Sequence, residues 1–176
     1  MPTKLKLRLY GDSVLRKVAK VVRSIGPAER LLIKELIAAM YDFDGAGLAA
    51  TQVGIEEQIF VGDAGDGPFV VVNPQILHCS SKRTVLEEGC LSFPEIRICI
   101  ERAETISVHY QNEFGQVIER EFSGLPAKVF QHEVDHLNGR LIIDYATKVE
   151  LEKHKGQLAK LEALAVKTSP RSKAHV

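Results

Sequence analysis

The stretch QHEVDHLNG at residues 131–139 constrains the chain most, because it places two imidazoles and a carboxylate on one short segment. His132 and His136 are four residues apart, so on an α-helix they project from nearly the same face and can bind one metal ion. Glu133 can then reach a water molecule on that metal without being a ligand itself. Since HExxH also arises by chance on surface helices, the prediction of a metal-binding helix needs a third ligand.

We expect that third ligand to be Cys90, which lies inside EGCLS, 42 positions before His132. A thiolate and two neutral imidazoles leave a fourth coordination position open for water, as catalytic sites do. A bound metal lowers the pKa of that water towards about 7, and Glu133 can take its proton and later pass it on. The pattern therefore predicts hydrolysis by attack of a metal hydroxide on a carbonyl.

An attacked carbonyl becomes an oxyanion, which needs hydrogen-bond donors that are already in place. The side-chain amide of Gln52 and the backbone N–H of Leu91 are candidates, because both lie in glycine-bearing stretches. A loop glutamine that only bonds to backbone is the alternative interpretation of Gln52. Cys79 and Cys99 are at the wrong spacing from Cys90 for a structural CxxC site, and we expect them to be small buried hydrophobes.

The length predicts one globular domain, and the balanced charge predicts no strong attraction to nucleic acid or membranes. The 176 residues include 23 Lys+Arg and 23 Asp+Glu, so no global field recruits nucleic acid or a membrane. No apolar run approaches the ~18 residues of a membrane span, and the first residues lack the apolar core of a signal peptide. We therefore expect a cytoplasmic protein. Residues 148–176 carry a net charge of +4, which fits either a solvated end or docking to an acidic partner such as ribosomal RNA.

The periodicity predicts an α+β fold. An amphipathic helix follows Gly26-Pro27, with an apolar stripe of Leu32, Leu36, Ala39, Met40 and Phe43. Strand-like segments then occupy residues 58–61, 69–77, 83–87, 96–110 and 116–122, with a hairpin turn at QNEFGQ. Ser123 is the predicted cap of the metal helix, which runs to about Leu137 and ends at Gly139.

The order of elements predicts small antiparallel or mixed sheets around the metal-binding helix. We expect residues 1–147 to form the catalytic domain and residues 148–166 to form a basic helix that packs on it or extends from it. Residues 167–176 have the composition of a disordered tail.

Three segments in this order are similar to those of the peptide deformylases: GAGLAATQ (45–52), EGCLS (88–92) and QHEVDHLNG (131–139). The similarity extends over roughly residues 8–147. It implies removal of the N-formyl group from the initiator methionine of nascent polypeptides, with release of formate. It also implies one divalent metal per chain, Fe²⁺ in the cell with Zn²⁺, Ni²⁺ or Co²⁺ as alternatives, since the ligand set alone does not choose.

The same resemblance implies roles for individual residues. Cys90, His132 and His136 would be the metal ligands, Glu133 the general acid and base, and Gln52 with the Leu91 amide the donors to the formyl oxygen. The methionine pocket would be lined by Ala46, Gly47, Leu86, Leu125 and Val129. The substrate backbone would pair as an added strand near Ala46 and Gly89.

Some positions depart from the commonest pattern of the family. Ala46 replaces a larger isoleucine or valine, Thr51 stands where proline is more usual, and Lys128 on the metal helix can reach the pocket rim. These differences bear on substrate preference rather than on the reaction. The basic C-terminal helix resembles the one that some relatives use to dock on the ribosome.

Two other functions fit parts of the sequence. A zincin-type metallopeptidase also contains HExxH, but it takes its third ligand downstream, where this chain has no suitable histidine and where Glu150 and Glu152 lie in the basic helix. A non-enzymatic binding module of the same fold is the second alternative. Loss of a ligand, of Glu133 or of Gln52 would favour it, and all of these residues are present.

Overall fold

A computed structural model describes residues 5–168 of the chain. Three α-helices lie in this part: α1 (Pro27–Asp42), α2 (Leu125–Leu137) and α3 (Lys148–Thr168). The strands are β1 (Gly47–Ala49), β2 (Ile59–Gly62), β3 (Phe69–Cys79), β4 (Arg83–Cys90), β5 (Phe93–Ala103), β6 (Thr105–Gln111) and β7 (Val117–Ser123). Short 3-10 helices occupy Ser13–Arg16, Ala50–Val53 and Ile142–Tyr145.

The strands form two antiparallel sheets, which confirms the α+β class. The larger sheet has the order β1-β2-β3-β6-β7, and the smaller one pairs β4 with β5. The single strand expected over residues 96–110 is two strands, because β5 pairs with β4 whereas β6 pairs with β3 and β7. The chain changes sheets at Glu104, whose N–H donates to the carbonyl of Lys82.

Helix α2 lies at the centre and contacts strands of both sheets. Its Phe130 is fully buried and packs edge-on against Phe60 of β2, with ring centroids 5.0 Å apart. Phe122 of β7 packs against the same ring at 5.4 Å. Each of these aromatic pairs adds about 0.5–1.5 kcal/mol beyond the burial of its area. The helix that carries the predicted ligands is thus fixed by the main core.

Helix α1 agrees with its prediction. Pro27 occupies the first turn, and the N–H of Gly26 donates to the Glu29 carboxylate at 2.7 Å. The buried residues are Ile33, Leu36, Ala39 and Met40, and they pack with β2 residues in a second core cluster. Ile33, which the predicted stripe omitted, belongs to the same face.

Helix α2 begins one residue later than expected. Ser123 was predicted as its cap, but this residue pairs with Thr105 in the sheet, so the cap position passes to Gly124, whose φ is 64°. Pro126 lies in the first turn, as predicted. The predicted left-handed stop at Gly139 is confirmed by its φ of 70°.

The prediction that Cys79 and Cys99 are buried was wrong, because both are exposed. Residues of β5 alternate between core and solvent, and Ile98 and Ile100 occupy the inward positions on either side of Cys99. Cys79 is the last residue of β3, where the strand has left the core.

Helix α3 packs on the rest of the molecule through one side, on which His154, Leu161 and Ala165 are buried. It runs to Thr168, two residues beyond the expected end. The rest of the tail predicted to be disordered, residues 169–176, lies outside the described residues. None of the helices between residues 5 and 168 is both long and apolar enough to cross a membrane.

The turn after α2 generates a prediction for stability. At Gly139 a Cβ would overlap the carbonyl oxygen of Arg16, and the positive φ also disfavours other residues. We expect Gly139→Ala to lower the free energy of unfolding by about 1–3 kcal/mol, the usual cost of a strained backbone position, as measured by urea titration. The control is Gly156→Ala in α3, where a Cβ meets nothing within 4 Å and where alanine favours the helix by up to about 1 kcal/mol. Equal effects at the two sites would contradict this account of the turn.

Candidate active site

The fold brings the three predicted metal ligands together. Cys90 ends β4, and His132 and His136 lie one turn apart on α2. One ligand atom from each of the three falls within 4.8 Å of the others. The Sγ atom of Cys90 lies 3.2 Å from Nε2 of His136. One sulfur and two imidazole nitrogens at this spacing fit a single divalent ion that keeps a further coordination position open.

His132 is oriented by a carboxylate from the strand that carries Cys90. Its Nδ1 atom lies 2.9 Å from Oε2 of Glu88, which leaves Nε2 available as a ligand. A carboxylate that holds the second ring nitrogen of a ligating histidine is common around protein metal sites. Glu88 was recognised in the sequence as part of EGCLS, but this contact was not predicted.

Arg102 on β5 connects Glu88 to the metal helix. Its guanidinium donates to both oxygens of Glu88, at 2.5 and 2.9 Å, and to Asp135 at 2.8 Å. The hydroxyl of Tyr145 also donates to Asp135, at 2.8 Å, and the Tyr145 ring lies beneath the guanidinium carbon. Only 5% of the Arg102 side chain is exposed. Removing one partner of such a buried pair typically costs about 3–5 kcal/mol.

These contacts keep the buried groups ionised. Burial raises the pKa of Glu88, but hydrogen bonds from His132 and Arg102 outweigh it and leave the pKa below its ordinary value. Burial likewise opposes the charge of Arg102, yet the bonds to Glu88 and Asp135 raise its pKa. Arg102 therefore carries a positive charge beside the carboxylates of Glu88 and Asp135.

The two histidines have opposite pKa shifts because their surroundings differ. For His132, burial lowers the pKa, but hydrogen bonds to Cys90 and Glu88 outweigh it and raise the pKa well above its ordinary value. For His136, burial lowers the pKa, and the nearby positive charges of His132 and Arg102 lower it further. His136 is therefore held as the neutral imidazole that metal binding requires.

Glu133 is buried beside the three ligands, and its Oε2 atom has no hydrogen-bond partner among the described residues. Burial raises its pKa to about 7, although the positive charges of His132 and Arg102 oppose the rise. A carboxyl group that titrates near neutrality suits both proton acceptance and proton donation. Gly47 packs directly against Oε1 of Glu133, where a Cβ would overlap the carboxylate. This contact explains the glycine at that position.

Gln52 lies in the 3-10 helix after β1 and is almost fully buried. Its Oε1 atom accepts from the N–H of Ala49 at 2.9 Å. Its Nε2 atom donates to Ser92 Oγ at 3.2 Å and lies 3.6 Å from Cys90 Sγ. The backbone bond that was the alternative interpretation is thus present, and it turns the donor end of the amide towards the ligand cluster.

A cavity of about 650 Å³ opens in front of these residues. All six residues predicted to contact the substrate line it, namely Ala46, Gly47, Leu86, Gly89, Leu125 and Val129. Other residues that line it are Gln52, Cys90, Leu91, His132 and Glu133, whereas His136 does not line it. Sequence reasoning missed Phe43, Phe93, Ile96 and Arg97 in the wall.

The sequence matches the family model described as Polypeptide deformylase over residues 4–152. The chain belongs to this family. It is 53% identical over 139 residues to the peptide deformylase of Thermotoga neapolitana, which covers 79% of this chain and 85% of that protein. It is 47% identical over 142 residues to the Clostridium botulinum enzyme, which covers 81% of this chain and 96% of the relative.

Solved structures of the family superimpose on the described fold. The peptide deformylase of Thermotoga maritima has 51% identity and a TM-score of 0.80, with 81% of this chain and 97% of that chain covered. The Synechococcus elongatus peptide deformylase, solved in complex with actinonin, has 40% identity and a TM-score of 0.85. The superposition covers 92% of this chain and 87% of that chain. The resemblance noted from three motifs is confirmed, and this deformylase family member is a metal-dependent hydrolase with an α+β fold.

The Arg102 contacts generate a prediction for metal binding. Arg102→Lys keeps the charge but loses the two-pronged bond to Glu88, so His132 is held less firmly. We expect the affinity for Zn²⁺ to fall about 10- to 100-fold, as is typical when such an orienting contact is lost, measured by competition with a chromophoric chelator.

The matched control is Arg83→Lys at the exposed start of β4, for which we expect wild-type affinity. An unchanged affinity in a folded Arg102→Lys variant would show that Arg102 does not position the ligands.

Proposed function

We propose that this chain removes the N-formyl group from the initiator methionine of nascent polypeptides, releasing formate and a free α-amine. The observation that carries the proposal is the placement of Glu133. Its buried carboxyl group, with a pKa of about 7, lies beside the Cys90, His132 and His136 cluster at one end of a cavity open to substrate. Family membership indicates the reaction class, and the position of Glu133 supports its role as the general acid and base.

We infer that Cys90, His132 and His136 hold one divalent ion, Fe²⁺ in the cell, with Zn²⁺, Ni²⁺ or Co²⁺ accepted by the same donors. When bound, such an ion supplies Lewis acidity, which lowers the pKa of water and polarises a carbonyl. The donor set fits this task, because the three atoms share one small volume and because the contact of Nδ1 with Glu88 makes Nε2 the ring nitrogen of His132 that can bind the ion.

The other site residues then have distinct tasks. Glu133 takes a proton from the attacking water and returns it to the departing α-amine. The Gln52 amide and the Leu91 N–H donate to the formyl oxygen as its negative charge develops. The loss of one such donor typically costs 10²- to 10³-fold in turnover. Because the bond from Ala49 holds Gln52 in place before substrate arrives, little reorganisation is needed during the reaction.

The substrate backbone has a place between two sheet edges. Strand β1 is the edge of the larger sheet, and β4 pairs on one side with β5. Ala46 and Gly89, at these two edges, both line the cavity. An extended peptide between them can pair with backbone on either side and place its first side chain among Gly47, Leu86, Leu125 and Val129.

We propose that residues 1–147 form the catalytic unit. Helix α3, which follows this unit, is the candidate contact with the ribosome. It presents exposed lysines at 148, 153, 155 and 160, which suit an RNA surface. Sedimentation with ribosomes should weaken when these lysines are replaced by glutamate. Unchanged sedimentation would remove this role without affecting the catalytic proposal.

The reaction is tested with formyl-Met-Ala-Ser, acetyl-Met-Ala-Ser and unblocked Met-Ala-Ser, using metal-quantified protein handled without oxygen. We expect release of free α-amine and formate from the formyl peptide alone, without cleavage of a peptide bond. Peptide-bond cleavage instead would favour a metallopeptidase, and no reaction with any of the three would favour a binding module.

The role of Glu133 predicts a specific separation of metal binding from turnover. Glu133→Gln should retain the metal and lose at least about 10²-fold in kcat, the usual contribution of a general acid–base group. Cys90→Ala and His136→Ala should lose both metal and turnover. Glu121→Gln on exposed β7 is the matched control and should behave as wild type. Near-normal turnover by Glu133→Gln would exclude its assigned role.

A further inference from the structure

Lys128 is a buried lysine in the wall of a cavity that we assign to an apolar side chain. It lies on α2, one turn before His132, and only 7% of the residue is exposed. Some of its atoms line the cavity next to Leu125 and Val129. A charged lysine is rarely buried without a partner, so the position of its ammonium group decides what this wall presents to a substrate.

The ammonium group is paired with a carboxylate that is not part of the cavity wall. Its Nζ atom lies 3.6 Å from Oε2 of Glu104, and Glu104 does not line the cavity. Since a lysine stem is four methylene groups long, a side chain can line a pocket with its stem while its charge lies elsewhere. The pairing of Lys128 with Glu104 fits this arrangement.

Glu104 is itself held in place from several directions. The Thr84 hydroxyl donates to its Oε2 atom at 2.7 Å. Its N–H donates to Lys82, and its carbonyl accepts from the N–H of Gly124, immediately before α2. The Thr84 hydrogen bond lowers the pKa of Glu104 below its ordinary value, burial opposes this shift, and the charges of Lys128 and Lys82 add to the lowering. The carboxylate is therefore an ionised, fixed partner at the point where the chain changes sheets.

We propose that Glu104 is a specificity-determining residue that acts through Lys128. By holding the ammonium outside the cavity, it makes the wall beside His132 a surface of methylene groups, which suits an uncharged, unbranched first side chain. The inference rests on the proposed function and adds to it the ion pair that keeps a positive charge out of the side-chain pocket.

The competing position for the ammonium is the cavity itself. Glu88 and Glu133 both line the cavity and offer carboxylates to a cation that has lost Glu104. An ammonium that enters takes space from a methionine side chain and attracts an acidic one. The resulting change is in substrate binding, so KM should move more than kcat.

The test compares Glu104→Met, Lys128→Met and the double variant, because methionine has nearly the length of either side chain and no charge. With formyl-Met-Ala-Ser, we expect Glu104→Met to raise KM about tenfold with little change in kcat, a size within the range for altered pocket contacts. The ratio of kcat/KM for formyl-Glu-Ala-Ser over formyl-Met-Ala-Ser should rise about tenfold. Glu121→Met serves as the surface control and should leave both quantities unchanged.

The double variant decides whether Glu104 acts through Lys128. In the Lys128→Met background, adding Glu104→Met should change neither KM nor the substrate ratio, since the ammonium is gone. The proposal is overturned if Glu104→Met alters KM equally in both backgrounds, or alters it in neither.

A crystal structure of Glu104→Met separates this proposal from the proposed function. We expect Nζ of Lys128 to lie inside the cavity, and an ammonium that stays at its original position overturns the proposal whatever the enzyme's activity. Absence of deformylation by the wild type, with the ammonium moved in the variant, would reject the proposed function and its specificity, and would leave standing only that Glu104 positions the Lys128 ammonium.

Discussion

The burial of α2 against both sheets is the constraint on which the site depends. Phe130, Ala127 and Leu137 fix the helix in the main core, and this placement brings His132 and His136 to the end of β4, where Cys90 lies. The helix alone positions His132 and His136, but Cys90 comes from β4, so the set of three depends on how the two elements pack. The ligand atoms' separation of less than 4.8 Å is a consequence of core packing, and the large apolar area of the core stabilises a site that is otherwise polar and buried.

Burying so many ionisable groups is unfavourable unless their charges are balanced. Arg102 contacts Glu88 and Asp135, and Glu88 contacts His132, so one guanidinium links the smaller sheet to two positions of the metal helix. The network leaves Glu133 without such a partner, which is why burial raises its pKa to about 7. Two carboxylates close to the ligand cluster thus differ in their surroundings: Glu88 contacts His132 and Arg102, whereas Oε2 of Glu133 has no hydrogen-bond partner among the described residues. This difference supports the proposal that Glu88 orients His132 and that Glu133 transfers protons.

The sequence predicted the features that local rules determine. Helical spacing identified α1 and α2. The left-handed turn at Gly139 and the grouping of Cys90 with His132 and His136 followed from residue type and spacing. The sequence-based predictions were wrong where the position of a residue depends on pairing with distant strands. The change of sheet at Glu104 depends on which strands are neighbours, Ser123 is used by the β-ladder instead of capping α2, and Cys99 faces solvent because its neighbours on β5 fill the core. Arg102 lies outside the recognised motifs, so its contact with Glu88 had no local signal. The same holds for the pairing of Lys128 with Glu104.

We propose that one sulfur and two imidazole nitrogens form a preorganised site for a divalent ion. X-ray absorption spectroscopy of protein loaded with one equivalent of Zn²⁺ tests it directly. We expect one sulfur at about 2.3 Å and two imidazole nitrogens at about 2.0–2.1 Å, with a further light atom completing the coordination. Cys90→Ala should retain no Zn²⁺ under the same loading conditions. A spectrum of the wild-type protein without sulfur, or with more than one, would contradict the account.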